Sequence, residues 1–388
     1  MQFIKNLALA FLLSLSAINR FIPKFRIIIL FTNNAETNDN NRALLSRLIN
    51  LKIDQEYKIY FFSKDGGKYK HFENVEYKPA YLAPIYFIIA KYCFYDCGTL
   101  KIKPSKKQFV ISLWHGVPLK KIGLMLGEQS SRLDKYNDFS KILVPSENWT
   151  DIYQQSFACT SEQVYINGFP RNDFLFRPAY DKLSLLGINQ QCEKNILWMP
   201  TFRSSIGGRY SDVEINKAWD LPIFKTRDQL NEFNAFLAKK NIQLIVKLHP
   251  YSTFNLNAPK NFSHIIFVKN SDLNKCGIIN YEFVACFDAL VTDYSSILFD
   301  YLLTDKPMAF TMDDLQGYSD KRGFTVSNPD KYLVGEKIVD IEDFSRFVKL
   351  IASGVDEFVT MRRDLKNEVH YYADDKSTER LLKEIKLL

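Results

Sequence analysis

"FRIIILFT", residues 25–32, is a continuous apolar run that ends in the polar stretch "NNAETNDNN", residues 33–41. A segment with helical spacing follows, and "YKIYFFS", residues 57–63, is a second apolar run. An unbroken apolar run suits a strand covered on both faces, and alternation of such strands with helices is typical of a parallel sheet. The stretch therefore predicts an α/β fold. The apolar face of the predicted helix consists of Ala43, Leu44, Leu45, Leu48 and Ile49.

The same alternation continues along the chain. The run "YLAPIYFIIAKYCFY", residues 81–95, is apolar nearly all round; we predict a buried helix there, because Lys91 interrupts the run and it is short for a membrane span. Helices are also predicted over Arg227–Lys239 and from about Glu342. Further strands are predicted at residues 108–114, 141–146, 195–199, 242–248, 264–268, 289–293 and 306–310.

The alternating pattern weakens between residues 169 and 195, where prolines and charges replace it. A chain of 388 residues also exceeds what one hydrophobic core usually supports. We therefore predict two α/β domains, residues 25–180 and 181–388, preceded by a separate segment, residues 1–24. Ligands of open parallel sheets bind at the carboxyl ends of the strands.

Composition narrows the function classes. Hydrophobic residues make up 46% of the chain, which excludes a disordered protein. The net charge of +7 is modest and scattered, and no nucleic-acid-binding motif is present, so nucleic acid is not an expected partner. The six cysteines form no CxxC pair or metal-spaced set, which fits reduced thiols in the cytosol. Neither a metal nor a cofactor is predicted.

The N-terminal segment contains "LALAFLLSLSAI", residues 7–18, behind Lys5. It is short for a membrane span and has small residues near its end, as signal peptides do. A helix lying in the membrane interface is the second possibility, with Arg20, Lys24 and Arg26 near acidic headgroups. A helix docked on the protein is the third, and this segment alone does not decide among them.

Polar clusters follow four of the predicted strands. In the first, His115 and Gly116 come directly after residues 108–114, and Lys120 follows. Histidine can act as an acid or base near neutral pH, glycine permits a tight turn, and lysine can contact phosphate. In the second, Thr201 and Arg203 follow Pro200, and a guanidinium matches phosphate oxygens. An ordinary turn histidine or surface arginine would explain either cluster alone.

The other two clusters lie in the predicted second domain. Lys247 lies within an apolar strand, where a lysine needs an anionic partner, and His249 follows it. In "TDYSSILFDY", residues 292–301, Ser295 or Ser296 is a good N-cap for the next helix, while free backbone N–H groups and two hydroxyls could also hold an anion. Asp293 would repel a phosphate, so we expect it to orient a neighbour, hold a ribose hydroxyl or fix the loop.

Several of these motifs together resemble the CDP-glycerol glycerophosphotransferase family, the enzymes of teichoic-acid and related polymer synthesis. The matches occur in family order and cover roughly residues 25 to 330. They are "DNNRALLSRL" (39–48), "WHGVPLKKIG" (114–123), "GFPRND" (168–173), "PTFR" (200–203), "KLHP" (247–250), "TDYSSILFDY" (292–301) and "KPMAFTMDDLQGYSDKRGF" (306–324).

The resemblance implies a GT-B-like fold of two Rossmann-like domains with parallel sheets facing an interdomain cleft. It implies transfer of glycerol phosphate from CDP-glycerol to an acceptor hydroxyl, on a lipid-linked saccharide or a glycerol-phosphate polymer, with release of CMP. It also implies a peripheral protein on the cytoplasmic face of the membrane, which favours a membrane-interface helix over a cleaved signal peptide for residues 1–24. By this resemblance His115 and His249 are the catalytic pair. The implied substrate-binding residues, some of them named above from their strand ends, are Gly116, Lys120, Thr201, Arg203, Lys247, Thr292, Asp293, Ser295, Ser296 and Asp300.

Three alternatives remain at this point. A GT-B glycosyltransferase that uses a nucleotide sugar would need the same phosphate-binding devices. A ribitolphosphotransferase that uses CDP-ribitol would differ only in the polyol pocket. A non-catalytic membrane-binding module would depend on residues 1–20 and not on the histidines.

Overall fold

The computed structural model describes residues 2–33, 39–64, 72–129, 137–200, 221–248, 262–312 and 323–388, with the backbone alone for residues 2–9. The chain divides into two compact units. The first comprises Met1–Val117, Ile122–Asp173 and Val369–Leu388, and the second comprises Pro118–Lys121 and Phe174–Glu368.

The first unit contains a seven-stranded parallel sheet in the order β3-β2-β1-β4-β5-β6-β7. The strands are β1 (Phe25–Thr32), β2 (Lys58–Ser63), β3 (Val75–Pro79), β4 (Ala90–Cys97), β5 (Phe109–Ser112), β6 (Lys141–Val144) and β7 (Val164–Ile166). The helices are α1 (Gln2–Asn19), α2 (Asp39–Asn50), α3 (Ala83–Phe87) and α4 (Thr150–Phe157).

The second unit contains a six-stranded parallel sheet in the order β10-β9-β8-β11-β12-β13. Its strands are β8 (Lys194–Trp198), β9 (Ile242–Lys247), β10 (Ile265–Val268), β11 (Ala289–Thr292), β12 (Met308–Thr311) and β13 (Glu336–Ile338). The remaining helices are α5 (Arg227–Lys239), α6 (Asn270–Lys275), α7 (Asn280–Val284), α8 (Ile297–Tyr301), α9 (Ile341–Ser353), α10 (Val359–Val369) and α11 (Ser377–Glu384).

The "FRIIILFT" stretch forms β1, which pairs with β2 on one side and β4 on the other. Residues 28–31 are buried because both faces of a central parallel strand are covered. The second unit has an aromatic core on its own sheet: the Trp198 and Phe344 rings meet edge to face at 5.3 Å between centroids, and Phe224 packs beside both. The predicted strands at 25–32 and 57–63 and the predicted helix at 227–239 are confirmed.

The prediction of a buried helix over residues 81–95 is wrong. The chain forms the short helix α3 and then β4, which lies between β1 and β5. Tyr92, Cys93, Phe94 and Tyr95 are all buried, as expected for a strand with both faces covered. A strand of this kind and a buried helix have the same apolar composition, so periodicity could not separate them.

The units differ from the predicted domains in their boundaries. The second unit begins at Phe174, and the last twenty residues pack on the first unit although they follow the second in sequence. The Asp173 carboxylate accepts hydrogen bonds from the backbone N–H groups of Ser377 and Thr378, both at 2.9 Å. The Tyr92 hydroxyl donates to the carbonyl of Ile385. Such long-range docking leaves no periodic signal in the sequence.

Helix α1 is fixed to the first unit at its C-terminal end. The buried Asn19 amide donates to Lys103 O at 2.9 Å and to Gln108 Oε1 at 2.7 Å. Several apolar side chains nearby are nevertheless exposed: Phe11, Leu13, Ile18 and Phe21. Among the described helices, none combines the length and the apolar character that a membrane crossing requires.

Candidate active site

The loop after β5 carries His115. Trp114 has a left-handed backbone conformation with φ of +55°, and Gly116 has φ of +118°, a value that a residue with a Cβ rarely adopts. The Trp114 ring lies 3.8 Å from the His115 ring between centroids. The Tyr153 hydroxyl of α4 donates to Gly116 O at 3.0 Å. The sharp turn is therefore supported from both sides of the histidine.

The surroundings of His115 favour its neutral form. Its pKa is lowered from 6.5 to about 4, first because protein atoms around the ring exclude water and second because the Arg171 guanidinium repels the imidazolium. A hydrogen bond to the backbone carbonyl of Asp96 acts in the opposite direction. This bond places the proton on one ring nitrogen and leaves a lone pair on the other.

The His115 side chain is also exposed to solvent. The Trp114 ring packs against the imidazole, and the solvent-exposed part of the residue is where a substrate hydroxyl could approach. A neutral imidazole with one nitrogen fixed by the Asp96 carbonyl and the other available is suited to act as a general base. Arg171 belongs to the "GFPRND" segment, but its charge effect on His115 was not predicted from the sequence.

Residues Pro118–Lys121 belong to the second unit. Lys120 forms an antiparallel bridge with Phe324, and Lys121 N donates to Gly323 O at 3.1 Å. The Phe324 ring packs against Tyr294, with 5.5 Å between centroids. Gly323 and Phe324 thereby connect Lys120 and Lys121, through backbone pairing, with Tyr294, through ring packing.

Three neighbouring strands, β9, β8 and β11, bring the polar clusters of the second unit to one edge of its sheet. Lys247 is the last residue of β9, and its ammonium group donates to Asn270 Oδ1 at 2.7 Å. Thr292 is the last residue of β11, and its hydroxyl donates to Met199 O at 3.3 Å, just beyond β8. The amide oxygen of Asn270 thus stabilises the lysine that we expected to need an anionic partner.

The serines before α8 are only partly buried, whereas Asp293 is buried. Ser296 is the N-cap residue of α8, as predicted, but it has helical backbone angles and, within the described residues, its side chain makes no capping hydrogen bond. Instead, the backbone carbonyls of Ser295 and Ser296 accept from Leu298 N and Phe299 N in a tight first turn. The Ser296 hydroxyl is therefore not committed to capping the helix.

Asp300 lies inside α8 and is fully buried. Its Oδ2 accepts a hydrogen bond of 2.6 Å from the Tyr281 hydroxyl. The predicted role of Asp300 in substrate binding stays a prediction. Thr201, Arg203 and His249 lie outside the described residues. Within the described residues, no group of three or more His, Cys, Asp or Glu side chains is arranged to hold a metal ion.

The model of the CDP-glycerol:poly(glycerophosphate) glycerophosphotransferase family matches residues 14–387 of this chain. The chain belongs to this family. It is 27% identical over 379 residues to the teichoic acid ribitol-phosphate polymerase TarK of Staphylococcus aureus (strain NCTC 8325 / PS 47), covering 92% of this chain and 68% of that protein. It is 28% identical over 354 residues to the teichoic acid glycerol-phosphate primase of Bacillus subtilis (strain 168), covering 84% of each.

Among solved structures, the wall teichoic acid polymerase TagF superposes with a TM-score of 0.75 at 20% sequence identity, covering 99% of this chain and 96% of that one. This similarity concerns the fold. The predicted α/β, GT-B-like fold is confirmed, and so is the resemblance to the glycerophosphotransferase family. As a family member the chain is a transferase enzyme, which excludes the non-catalytic membrane module.

Proposed function

We propose that this chain transfers glycerol phosphate from CDP-glycerol to a hydroxyl of a lipid-linked saccharide or of a growing glycerol-phosphate polymer, releasing CMP. Family membership supports the donor and the reaction class. The observation that carries the mechanism is the environment of His115: a hydrogen bond fixes one ring nitrogen, an arginine disfavours the charged form, and the residue is exposed to solvent.

In the proposed step the acceptor oxygen attacks the phosphorus that bears glycerol. The neutral His115 accepts the hydroxyl proton at its free nitrogen, the new P–O bond forms, and the bond to CMP breaks. CMP leaves with the electron pair. Cationic and hydrogen-bonding groups must balance the charge that develops on the phosphates, and we assign this role to Arg203, His249 and Lys247 together with the hydroxyls of Ser295 and Ser296.

The donor is tested by offering the purified chain CDP-glycerol, CDP-ribitol and a nucleotide sugar, each with a short glycerol-phosphate-primed acceptor, and measuring release of the nucleotide. We expect CDP-glycerol to be the best substrate by about tenfold or more in kcat/KM, because a polyol pocket that hydrogen-bonds one substrate discriminates against another. The ribitol-phosphate polymerase among the relatives makes CDP-ribitol the second candidate. Turnover of only the nucleotide sugar would contradict the proposal.

We also propose that α1 lies in the membrane interface, so that the enzyme acts peripherally at the cytoplasmic face. The exposed apolar side chains of Phe11, Leu13, Ile18 and Phe21 are close in sequence to the exposed Arg20 and Arg26. Apolar side chains would enter the headgroup boundary while the basic groups meet anionic lipid. The polar anchors of Asn19 would keep the helix attached to the protein during binding.

The double variant Leu13→Ser/Phe21→Ser is expected to bind vesicles of anionic phospholipid about tenfold more weakly, because two apolar groups leave the interface. Cosedimentation of the full chain with the vesicles measures this. Leu185→Ser in the second unit is the matched control, since Leu185 is also exposed, and it should bind like the wild type. Equal binding by the double variant would rule out the proposed orientation of α1.

A further inference from the structure

Two buried asparagines, Asn40 and Asn41, lie in the first turn of α2. Asn40 and Asn41 are 1% and 0% exposed. Asparagine is a poor helix former, and a buried amide is costly unless its donors and acceptors are paired. Both ends of the Asn40 amide are paired, with Trp114 O and Arg171 N. The Asn41 amide donates to Phe31 O, and its Oδ1 has no hydrogen-bond partner among the described residues.

Asn40 connects the two segments that flank the histidine. Its Nδ2 donates to Trp114 O at 2.6 Å, and its Oδ1 accepts from Arg171 N at 3.0 Å. Trp114 directly precedes His115 and has the left-handed backbone conformation of the turn. Arg171 carries the charge that disfavours the imidazolium. One planar amide thus fixes the histidine loop relative to the arginine segment.

Asn41 contacts Asp96, the residue whose backbone carbonyl is hydrogen-bonded to the His115 ring. Its backbone N–H donates to Asp96 Oδ2 and its Nδ2 donates to Phe31 O, both at 3.4 Å. Asp96 lies in β4, and its backbone carbonyl accepts the hydrogen bond from the His115 ring. The first turn of α2 therefore contacts the His115 loop through Asn40 and the end of β4 through Asn41.

We propose that Asn40 is a positioning residue that holds the His115 imidazole in the orientation and tautomer required of the general base. The proposal rests on the proposed function only for the role of the base. Asn40 does not contact the substrate in this account; it acts through Trp114 and Arg171. An amide is required because a single planar group must donate to one backbone carbonyl and accept from one backbone N–H.

The test compares Asn40→Ala and Asn40→Asp with Gln108→Ala. Gln108 is a matched control: it is buried in the same unit, donates to Phe87 O and Ala90 O, and accepts from Ser105 N. Because it also accepts from the Asn19 amide of α1, all variants are compared with a soluble acceptor and without membranes. It precedes β5, whereas His115 follows that strand. We expect both Asn40 variants to lose about 100-fold in kcat with KM for CDP-glycerol changed less than about threefold, because small misplacements of a catalytic group have effects of this size.

Asn40→Asp keeps the acceptor for Arg171 N but places a carboxylate beside Trp114 O, so its expected loss of kcat isolates the Trp114 contact. If Asn40→Ala does not fold, the kcat of Asn40→Asp tests the positioning role on its own. Gln108→Ala should lower the melting temperature by a similar amount and keep kcat within about twofold of the wild type. A kcat within about twofold for a folded Asn40 variant, or an equal loss in Gln108→Ala, would overturn the proposal.

A second readout does not depend on the donor. The ¹⁵N chemical shifts of histidine-labelled protein, with His115 assigned from a His115→Gln sample, separate a protonated ring nitrogen from a bare one. We expect distinct shifts for the two nitrogens of His115 in the wild type and averaged shifts in Asn40→Ala. Unchanged shifts would refute the positioning role. If the wild type does not turn over CDP-glycerol while the shifts change as expected, the proposed function fails and the positioning inference stands.

Discussion

Replacing His115 with glutamine is expected to reduce CMP release from CDP-glycerol by about 10³-fold, within the range that general acid–base catalysis contributes. Glutamine keeps a neutral polar side chain but cannot accept the proton of the acceptor hydroxyl. The contacts of the neighbouring Trp114 and Gly116 backbone carbonyls with Asn40 and Tyr153 do not involve the imidazole, so the loop should persist. Steady-state CMP release with saturating acceptor measures the effect.

His264→Gln is the matched control for that experiment. His264 precedes β10 in the second unit, where its backbone N–H donates to Asn234 Oδ1 and its ring contacts the Ser263 hydroxyl at 2.9 Å. It should retain the kcat of the wild type. A His115→Gln protein with a wild-type melting temperature and a kcat within about fivefold of the wild type would show that His115 is not the base.

The second large effect concerns pH. With a pKa of about 4, His115 in the free enzyme is deprotonated in about 90% of molecules at pH 5, whereas an unperturbed histidine of pKa 6.5 would be deprotonated in only about 3%. The acid limb of the kcat/KM profile should therefore lie near pH 4. Activity that falls tenfold for each pH unit below 6.5 would contradict the described environment.

Two variants of Arg171 test whether its charge lowers the pKa of His115. Arg171→Met removes the positive charge and should move the acid limb to higher pH, while Arg171→Lys should keep it close to the wild-type position. Neither change removes the backbone N–H that donates to Asn40. An unchanged limb in Arg171→Met would show that the arginine does not act on the histidine.

The same shift affects folding, so stability must be measured in parallel. Because the pKa of His115 is lower in the folded chain than in the unfolded chain, the unfolded chain binds more protons between about pH 6.5 and 4. The contribution of this residue to stability is therefore present above pH 6.5 and is lost as the pH falls through that window. Activity measured only where the protein stays folded separates the two effects.

Sequence patterns predict the strands of the parallel sheets. They do not predict which segments from distant positions in the chain pack on those sheets. The apolar runs at 25–32 and 57–63 became strands because both faces of a central strand are covered. The run at 81–95 has the same composition but was assigned to a helix, and only pairing with β1 and β5 shows it to contain a strand. The return of residues 369–388 to the first unit depends on side chains such as Asp173, whose partners are about 200 residues away.

Motif analysis located His115 and Gly116 in a turn that the structure shows to be sharp and well supported. It did not assign roles to Asn40 or Arg171, although both lie in segments that resemble the family. Their relation to the histidine comes from hydrogen bonds between residues 74 and 131 positions apart and from a charge effect, which spacing along the chain does not reveal. Conversely, Asp300 belongs to a family motif but is enclosed by Tyr281.

The most direct test of the central claim is the mass of the product. The purified full chain is incubated with CDP-glycerol and a lipid-linked saccharide carrying a glycerol-phosphate primer, and acceptor mass and CMP are measured in the same sample. We predict an increase by whole glycerol-phosphate units, one CMP for each unit added, and loss of both in His115→Gln. CMP release without any added glycerol phosphate, or addition only of ribitol phosphate or a sugar from the corresponding donors, would contradict the account.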